Sequence, residues 1–483
     1  MGTGLPCGGS GHRVLIENSE YWLRNYGDVA MLEVTVRRVR ARWPLARIGI
    51  MTESPALVAA YFPGAVGITV GDRDPWGEPR LNERVAAALG PAIIGPVAIA
   101  WLRARAWLLS KAIRLRDQLR DRGASPAAEP DVPGSENAVP LAGDIVPLSD
   151  DTALLPDGAA PLSDDTAPRI ERRHPGAARA VREASLVIGL GGGYLTDADI
   201  PQAGRVLDLL EYASDAGIPV ALVGQGIGPL RDPELTAQAS RALTKLPLIA
   251  LRERRRGPEL LESLGVSPGA VTVTGDDAIE LARDERAGEL GRDIGVCLRV
   301  AKYSPVARLA QDGVGIAVRA AAAEFGARLV PLIIAETPGS PDRATTVPLV
   351  RGSANPVAPL DRFVRPADVA AQLSRCRVLV TGAYHLAVFA LSQGIPVVAL
   401  TSTEYYDDKF LGLDDMFKGG VRLIHFDDPE FGERLRAAIA DAWEDAPALR
   451  DTLCARADEQ VASSQQVYDR LFELLERTHI EHA

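Results

Sequence analysis

The chain has 483 residues, 47% of them apolar and 5% aromatic, with a net charge of −11. That length exceeds one compact core and predicts two α/β domains, while the four cysteines, Cys7, Cys297, Cys376 and Cys454, are too scattered for a disulfide framework or a zinc site. Nine of the eleven excess negative charges fall in residues 123–168, which hold no Lys or Arg, so the rest is near neutral and nothing points to nucleic acid. No basic-then-apolar run marks a signal peptide, and a reducing, cytoplasmic setting is expected.

Residues 1–10 are Gly-rich and expected to be disordered. A strand at 13–16 leads into a loop and helix in which Val29, Leu32, Val36 and Val39 recur at three- and four-residue steps, so one face is buried. Asn25-Tyr26-Gly27-Asp28 stands at its start. Either Asn25 or Asp28 caps the helix, or this loop faces a substrate. Strands are expected at 48–51 and 66–70. Residues 85–102 carry no charge after Arg84, but Gly90-Pro91 and Gly95-Pro96 cut the run twice, so no membrane-spanning helix is predicted. The continuation, 101–122, is a basic amphipathic helix with seven Lys/Arg against two Asp. Its stripe of Trp101, Leu108, Ala112, Leu115 and Leu119 fits packing on the domain or peripheral contact with an anionic membrane surface. Residues 123–168 are Pro-, Ala- and Asp-rich, repeat PLSDDTA at 147–153 and 161–167, and read as a disordered acidic insert.

Order is expected to resume with a helix at 171. Strand 185–190 then runs into Gly191-Gly192-Gly193-Tyr194-Leu195, and strand 219–223 into Gly224-Gln225-Gly226-Ile227-Gly228-Pro229. Strand 248–251 leads to Arg252, and strand 271–274 to Gly275-Asp276-Asp277. A second series follows at 294–299, 328–333, 378–380, 397–400 and 421–425. Strands alternating with helices of this length predict two Rossmann-like, doubly wound parallel sheets. The boundaries are 11–285 and 290–455, with a hinge in 281–293 and a closing helix at 458–478 within residues 456–483. In 378–400 a strand, a tight turn, a helix at 385–393 and a second strand succeed one another. His385 thus lies just past a strand's C-terminal end, where open α/β sheets place ligands and a helix start offers N–H groups to an anion.

The glycine clusters do not fit a dinucleotide fingerprint. Gly189-x-Gly191 fails at Tyr194, and Gly224-x-Gly226-x-Gly228 has the wrong spacing. They read as close approach of backbone to a ligand, as positive φ, or as plain turns. Asp276 and Asp277 are adjacent, so on a strand they diverge, and no metal site is expected.

Taken together, NYGDVAML (25–32), LVIGLGGGYLTD (186–197), PVALVGQGIGPL (219–230), LRERRRGPELLESLGV (251–266), VTGDDA (273–278), GVCLRV (295–300), VTGAYHLAVFALSQGIPVVAL (380–400) and YYDDKFLGL (405–413) resemble, in order, the polysaccharide pyruvyl transferase family. The resemblance implies a GT-B-like pair of domains with the site in the cleft. It implies transfer of pyruvate from phosphoenolpyruvate to two sugar hydroxyls as a ketal, with no cofactor beyond that donor. His385 matches the family's motif histidine and would serve as the acid. Arg252 and Lys409 match family positions and, with Arg299, would bind the donor's phosphate and carboxylate. Asn25, Gly27, Asp28, Gly191, Gly192, Gly193, Gln225, Gly226 and Gly228 complete the substrate-binding set. The acceptor would be a bacterial glycan, lipid-linked if residues 101–122 hold the protein at the inner membrane face. One departure matters: the family's loop carries an arginine two residues before the histidine, and here that residue is Ala383. Arg375 or Arg377 could replace it. Otherwise the donor differs, as in a glycosyltransferase using a nucleotide sugar, or the chain is a non-catalytic glycan-binding relative. The family's serine just after the Arg252 position is also missing, with Gly257 near it.

Overall fold

Most strands of this chain are short apolar runs followed by a helix that carries the chain back to the start of the next. The computed structural model describes residues 11–18, 20–123, 166–300, 305–336, 342–355 and 357–481. The first sheet contains β1 (Arg13–Glu17), β2 (Arg47–Met51), β3 (Val66–Ile68), β4 (Leu186–Gly189), β5 (Gly192–Leu195), β6 (Val220–Ile227), β7 (Leu248–Leu251) and β8 (Val271–Val273). Its order is β3-β2-β1-β4-β6-β7-β8, with β5 paired to β6 off this path. The second sheet contains β9 (Asp293–Cys297), β10 (Leu329–Pro331), β11 (Cys376–Thr381), β12 (Val397–Thr401) and β13 (Val421–His425), in the order β10-β9-β11-β12-β13.

Every pairing is parallel. A parallel sheet is covered on both faces, which is why Val378, Leu379 and Val380 are all buried without alternation. Strand order reverses between β1 and β4 in one sheet and between β9 and β11 in the other, and a crevice opens outside the strand ends at such points.

Several expected boundaries move. Residues 224–227, read as a turn, continue β6, and residues 192–195 form a strand of their own. The Gln225 side chain explains both, because its Nε2 donates to the carbonyls of Gly192 (3.2 Å) and Gly226 (2.9 Å). The helix expected from 171 begins at Thr166, and residues 281–284, placed in the hinge, complete the helix Ala278–Asp284. The linker between the sheets is therefore 285–292. Gly90, at φ 75°, does separate the helices Leu81–Leu89 and Pro91–Gly123. Pro96 does not break the second: it lies inside that helix, which continues past it at the loss of the one ladder bond its missing N–H would have made. Residues 1–10 and 124–165, including nearly all of the acidic insert, lie outside the described residues. Among the described residues no helix is long and apolar enough to cross a membrane.

The closing helix is the largest difference: it runs from Phe431 to Glu481, 51 residues, and starts well before 458. Leu435, Ile439 and Ala442 pack it on the second sheet. Further along, Val461, Tyr468 and Leu475 join the core that contains Val29 and Leu32 of the first domain. Polar contacts fix that distal half, with Ser464 Oγ donating to Asp277 (2.5 Å) and Tyr468 Oη donating to Asp277 (3.1 Å). The domains also meet directly beside the cleft. The Tyr26 N–H donates to the Ile334 carbonyl (2.8 Å), and the Glu336 N–H to the Arg24 carbonyl (3.0 Å).

Candidate active site

A cavity of about 620 Å3 lies between the C-terminal ends of the two sheets, lined by Asn25, Asp28, Gly193 and Arg252 from one side and by Arg299, Ala383, His385 and Lys409 from the other. His385 is the second residue of the helix Tyr384–Ser392 and is 8% exposed. Its side chain packs against the start of the first domain's helix Tyr26–Arg42. A Cβ built on Gly27 would sit 2.0 Å from His385 Cγ, so Gly27 answers to the histidine and not to the backbone. Asn25 is the N-cap, its Oδ1 accepting from the Gly27 N–H at 3.0 Å. That leaves Asp28 to face the cavity, with Oδ1 3.9 Å from His385 Nε2. Asn25 thus caps the helix, and Asn25 and Asp28 both line the cavity.

Asp276 Oδ2 approaches the same Nε2 to 3.8 Å. As expected for neighbours in sequence, Asp276 and Asp277 diverge: Asp276 turns to the cavity wall and Asp277 to the closing helix. Among the described residues no three His, Cys, Asp or Glu side chains converge as a metal site.

Three cations surround this group. Arg252, just after β7, is 4% exposed, packs its guanidinium 4.2 Å from the Tyr384 ring centre and lies 3.5 Å from Asp276. Lys409, on the helix Glu404–Phe417, places Nζ 3.9 Å from the Tyr405 ring centre. Both press on the glycine-rich strands. A Cβ on Gly193 would lie 2.7 Å from Arg252 Nη2 and 3.0 Å from Lys409 Nζ, and one on Gly226 would lie 2.6 Å from Arg252 Nε. These glycines make room for cations, which in turn can hold an anion. Arg299 is held by a bidentate pair with the fully buried Asp342 (2.7 and 3.1 Å).

Burial and charge act together on the titrating groups. Desolvation, and then the positive charges of Arg252, Lys409 and Arg299, hold His385 well below its ordinary value. Desolvation, reinforced by Glu20 and Asp276, raises Asp28 to about 7. Asp276 is raised by burial to about 6, against the opposing pull of Arg252. Lys409 is pushed well below the usual lysine value by burial and by Arg252. Near neutrality the histidine is therefore held unprotonated, while the Asp28 carboxyl keeps its proton to a higher pH than an ordinary aspartate.

Of the residues named from sequence, His385, Arg252, Arg299, Lys409, Asn25, Asp28, Gly192 and Gly193 line this cavity. Gly226 and Gly228 line a second one of about 640 Å3, which shares Gly193, Arg252, Tyr384, Tyr405 and Lys409 with the first. Gly191 and Gln225 line neither. Gly191 lets two strands close up, since a Cβ there would lie 2.5 Å from the Gly224 carbonyl oxygen. Neither Arg375 nor Arg377 replaces the arginine missing at 383. Arg375 precedes β11 at the end away from the cavity, and Arg377 donates to the Trp443 carbonyl (2.8 Å). Arg299 is the cation beside that loop, its backbone N 3.5 Å from where a Gly382 Cβ would lie. Sequence reasoning weighed Asp276 only as a metal ligand and passed over Tyr384 and Tyr405, although each lies in a stretch it quoted. Tyr405 Oη donates to the Gly193 carbonyl (2.8 Å) and forms part of the wall between the two cavities.

Known structures share the architecture. A Listeria monocytogenes protein named as a UDP-N-acetylglucosamine 2-epimerase is 11% identical, covers 98% of each chain and superposes with a TM-score of 0.54. The UDP-GlcNAc 2-epimerase of Neisseria meningitidis, solved bound to UDP-GlcNAc, is 10% identical over 95% of this chain and 99% of its own, with a TM-score of 0.51. At such identities the likeness establishes the fold alone: two Rossmann-like domains in a GT-B-like arrangement. No curated protein sequence matches the chain. A sequence profile described as polysaccharide pyruvyl transferase matches residues 25–404, most of the length, and the chain belongs to that family.

Proposed function

We propose that the protein transfers pyruvate from phosphoenolpyruvate to two hydroxyls of one sugar of a bacterial surface glycan, forming a cyclic ketal and releasing phosphate. The observation that carries this reading is the convergence of three cations, Arg252, Arg299 and Lys409, on a histidine flanked by two carboxyls. In it, the donor's phosphate and carboxylate are held by those cations and by the free N–H groups at the start of the helix Tyr384–Ser392. Their negative charge offsets the cations that depress His385, whose Nε2 takes a proton from Asp28 or Asp276. His385 then delivers that proton to the methylene carbon, leaving the adjacent carbon cationic. A sugar hydroxyl attacks this carbon and gives up its proton to the waiting carboxylate. The carbon–oxygen bond to phosphate breaks, its electron pair leaving with phosphate, and the second hydroxyl closes the ketal on that carbon as its proton passes to the departing phosphate. No cofactor takes part. The acceptor is read as a glycan carried on a lipid, met at the cytoplasmic face of the membrane.

A glycosyltransferase using a nucleotide sugar is the second reading, favoured by one observation, the small Ala383 where the family carries an arginine. Thermal melting of the purified protein separates the two. Phosphoenolpyruvate at roughly a hundred times its dissociation constant adds about 2.7 kcal/mol of stability, and Arg252→Ala abolishes that gain. Stabilisation by nucleotide sugars alone would favour the second reading, and no response to either would overturn both.

A further inference from the structure

Apolar side chains of a folded domain are left in water singly, and a contiguous row of them marks a surface with a partner. On the helix Leu81–Leu89 the exposed large apolar residues are Leu81, Val85 and Leu89, four residues apart and on one face. The row continues beyond Gly90 on the helix Pro91–Gly123 with Ile93, Val97 and Trp101, again at four-residue steps. Trp101 is 68% exposed and Val97 67%. Trp107 and Leu108 are also more than half exposed. The opposite face, Ala98, Ile99, Leu102 and Ala106, is the one buried on the domain, so the open row is not the helix's packing face. The sequence expectation had chosen between a packed helix and a surface-binding one. This helix has a face for each.

The charges around the row identify the occupant. Between residues 101 and 122 there are seven Lys/Arg and two Asp, on a chain whose net charge is −11. Arg103, Arg105 and Lys111 are exposed, and Lys111 Nζ stands 4.0 Å from the Trp107 ring centre. A second copy meeting this face through the same face would set basic side chains against basic ones, whereas an anionic bilayer offers acyl chains to the apolar row and phosphates to its basic flank. We propose that the face running from Leu81 to Leu108 is a docking surface for an anionic lipid membrane, with Trp101 and Trp107 seated at the headgroup level.

The row also leads to the site. Gly95, between Ile93 and Val97 in the helix, is packed so closely that a Cβ there would meet the Phe363 ring at 2.1 Å. The Phe363 N–H donates to Tyr26 Oη (2.7 Å), and Tyr26 adjoins Asn25 in the cavity wall. The helix that carries the face is thus packed on the same residues that support the cavity wall. The inference deepens the reading of the acceptor as lipid-linked and does not depend on the donor.

Sedimentation of the full chain with phosphatidylglycerol vesicles, and with phosphatidylcholine vesicles beside it, tests the surface. The expected result is at least about tenfold preference for phosphatidylglycerol, lost at about 0.5 M salt. Binding is expected to fall to background in Val97→Ser/Trp101→Ser and, separately, in Arg103→Glu/Arg105→Glu, with circular dichroism unchanged in both. Absence of vesicle binding, or binding that both variants retain, overturns the proposal. So does a dimer in sedimentation velocity that Val97→Ser/Trp101→Ser dissociates, which would make the face a contact between copies. None of these readouts involves phosphoenolpyruvate, so their failure leaves the pyruvyl-transfer reading standing.

Discussion

Replacing Gly27 by alanine tests whether the histidine is positioned by the opposite domain. The added Cβ would lie 2.0 Å from His385 Cγ, 2.2 Å from Nδ1 and 2.4 Å from Cβ, all atoms of one side chain. Ordinary contact begins near 3.4 Å, so the ring must retreat by more than about 1 Å or the domains must part. Overpacking of this kind costs about 1–3 kcal/mol. A catalytic group displaced by about 1 Å loses roughly a hundredfold in rate. In a His385→Gly background the obstructing atoms are gone, and alanine in a helical first turn is preferred over glycine by up to about 1 kcal/mol. The same substitution is therefore destabilising in the native chain and neutral or stabilising without the ring. Thermal melts of the four proteins of this cycle give the coupling directly. An equal loss of stability in both backgrounds would refute the reasoning, because Gly27 would then answer to something other than His385.

Donor binding is expected to draw close to one proton into the site, because the bound anion offsets the cations that depress His385 and further raises Asp28 and Asp276. Calorimetry near pH 7.5 in buffers of different ionisation heat measures it, and a binding heat independent of buffer would count against the relay. The Asp28 carboxyl, raised to about 7 in the folded chain, contributes stability fully present below its unfolded value and lost as pH rises through 7. Asp28→Asn should accordingly gain on the native protein between pH 5 and 8, by about 1 kcal/mol after screening of a side chain that keeps a fifth of its surface exposed; a gain at low pH instead would reverse the sign. Asp342→Asn releases one arm of the Arg299 clamp and is expected to raise KM for phosphoenolpyruvate about tenfold with little change in kcat, and an unchanged KM would remove Arg299 from donor binding. Tyr468→Phe strips the hydroxyl that Asp277 and Thr35 share, at about 1–3 kcal/mol of stability, read in the same melts.

Much of the fold was legible because parallel strands are continuous apolar runs, and runs such as 378–380 and 397–400 are hard to read otherwise. The strands that were missed are β5, Gly192 to Leu195, and the far end of β6, Gly224 to Ile227, both rich in glycine. Their pairing rests on the Gln225 side chain, a contact across 33 positions that no local pattern reports. The closing helix was cut short for a related reason: its first half, 431–457, serves the second sheet and its second half the first, so the buried face shifts along its length. In the site, single-residue chemistry carried well. His385 and Arg299 follow strand ends, Arg252 and Lys409 were taken from family positions, and the four line one cavity. Asp276 was weighed only as a metal ligand, because its partner is a histidine 109 positions away and only the closed cleft brings them together.

The 51-residue closing helix has a consequence for how the chain must assemble. Its distal half supplies the cover over Val29 and Leu32 and grips Asp277, next to the carboxyl that faces His385. The first domain's strands are synthesised long before this segment, at roughly 5–20 residues per second. Until it arrives, an apolar face near the N-terminus stays open and Asp277 has neither Ser464 nor Tyr468. The first domain therefore cannot mature as an independent unit during synthesis. The last described helix completes it, and a break late in that helix would be felt at a cavity whose lining includes Glu20, Asn25 and Asp28.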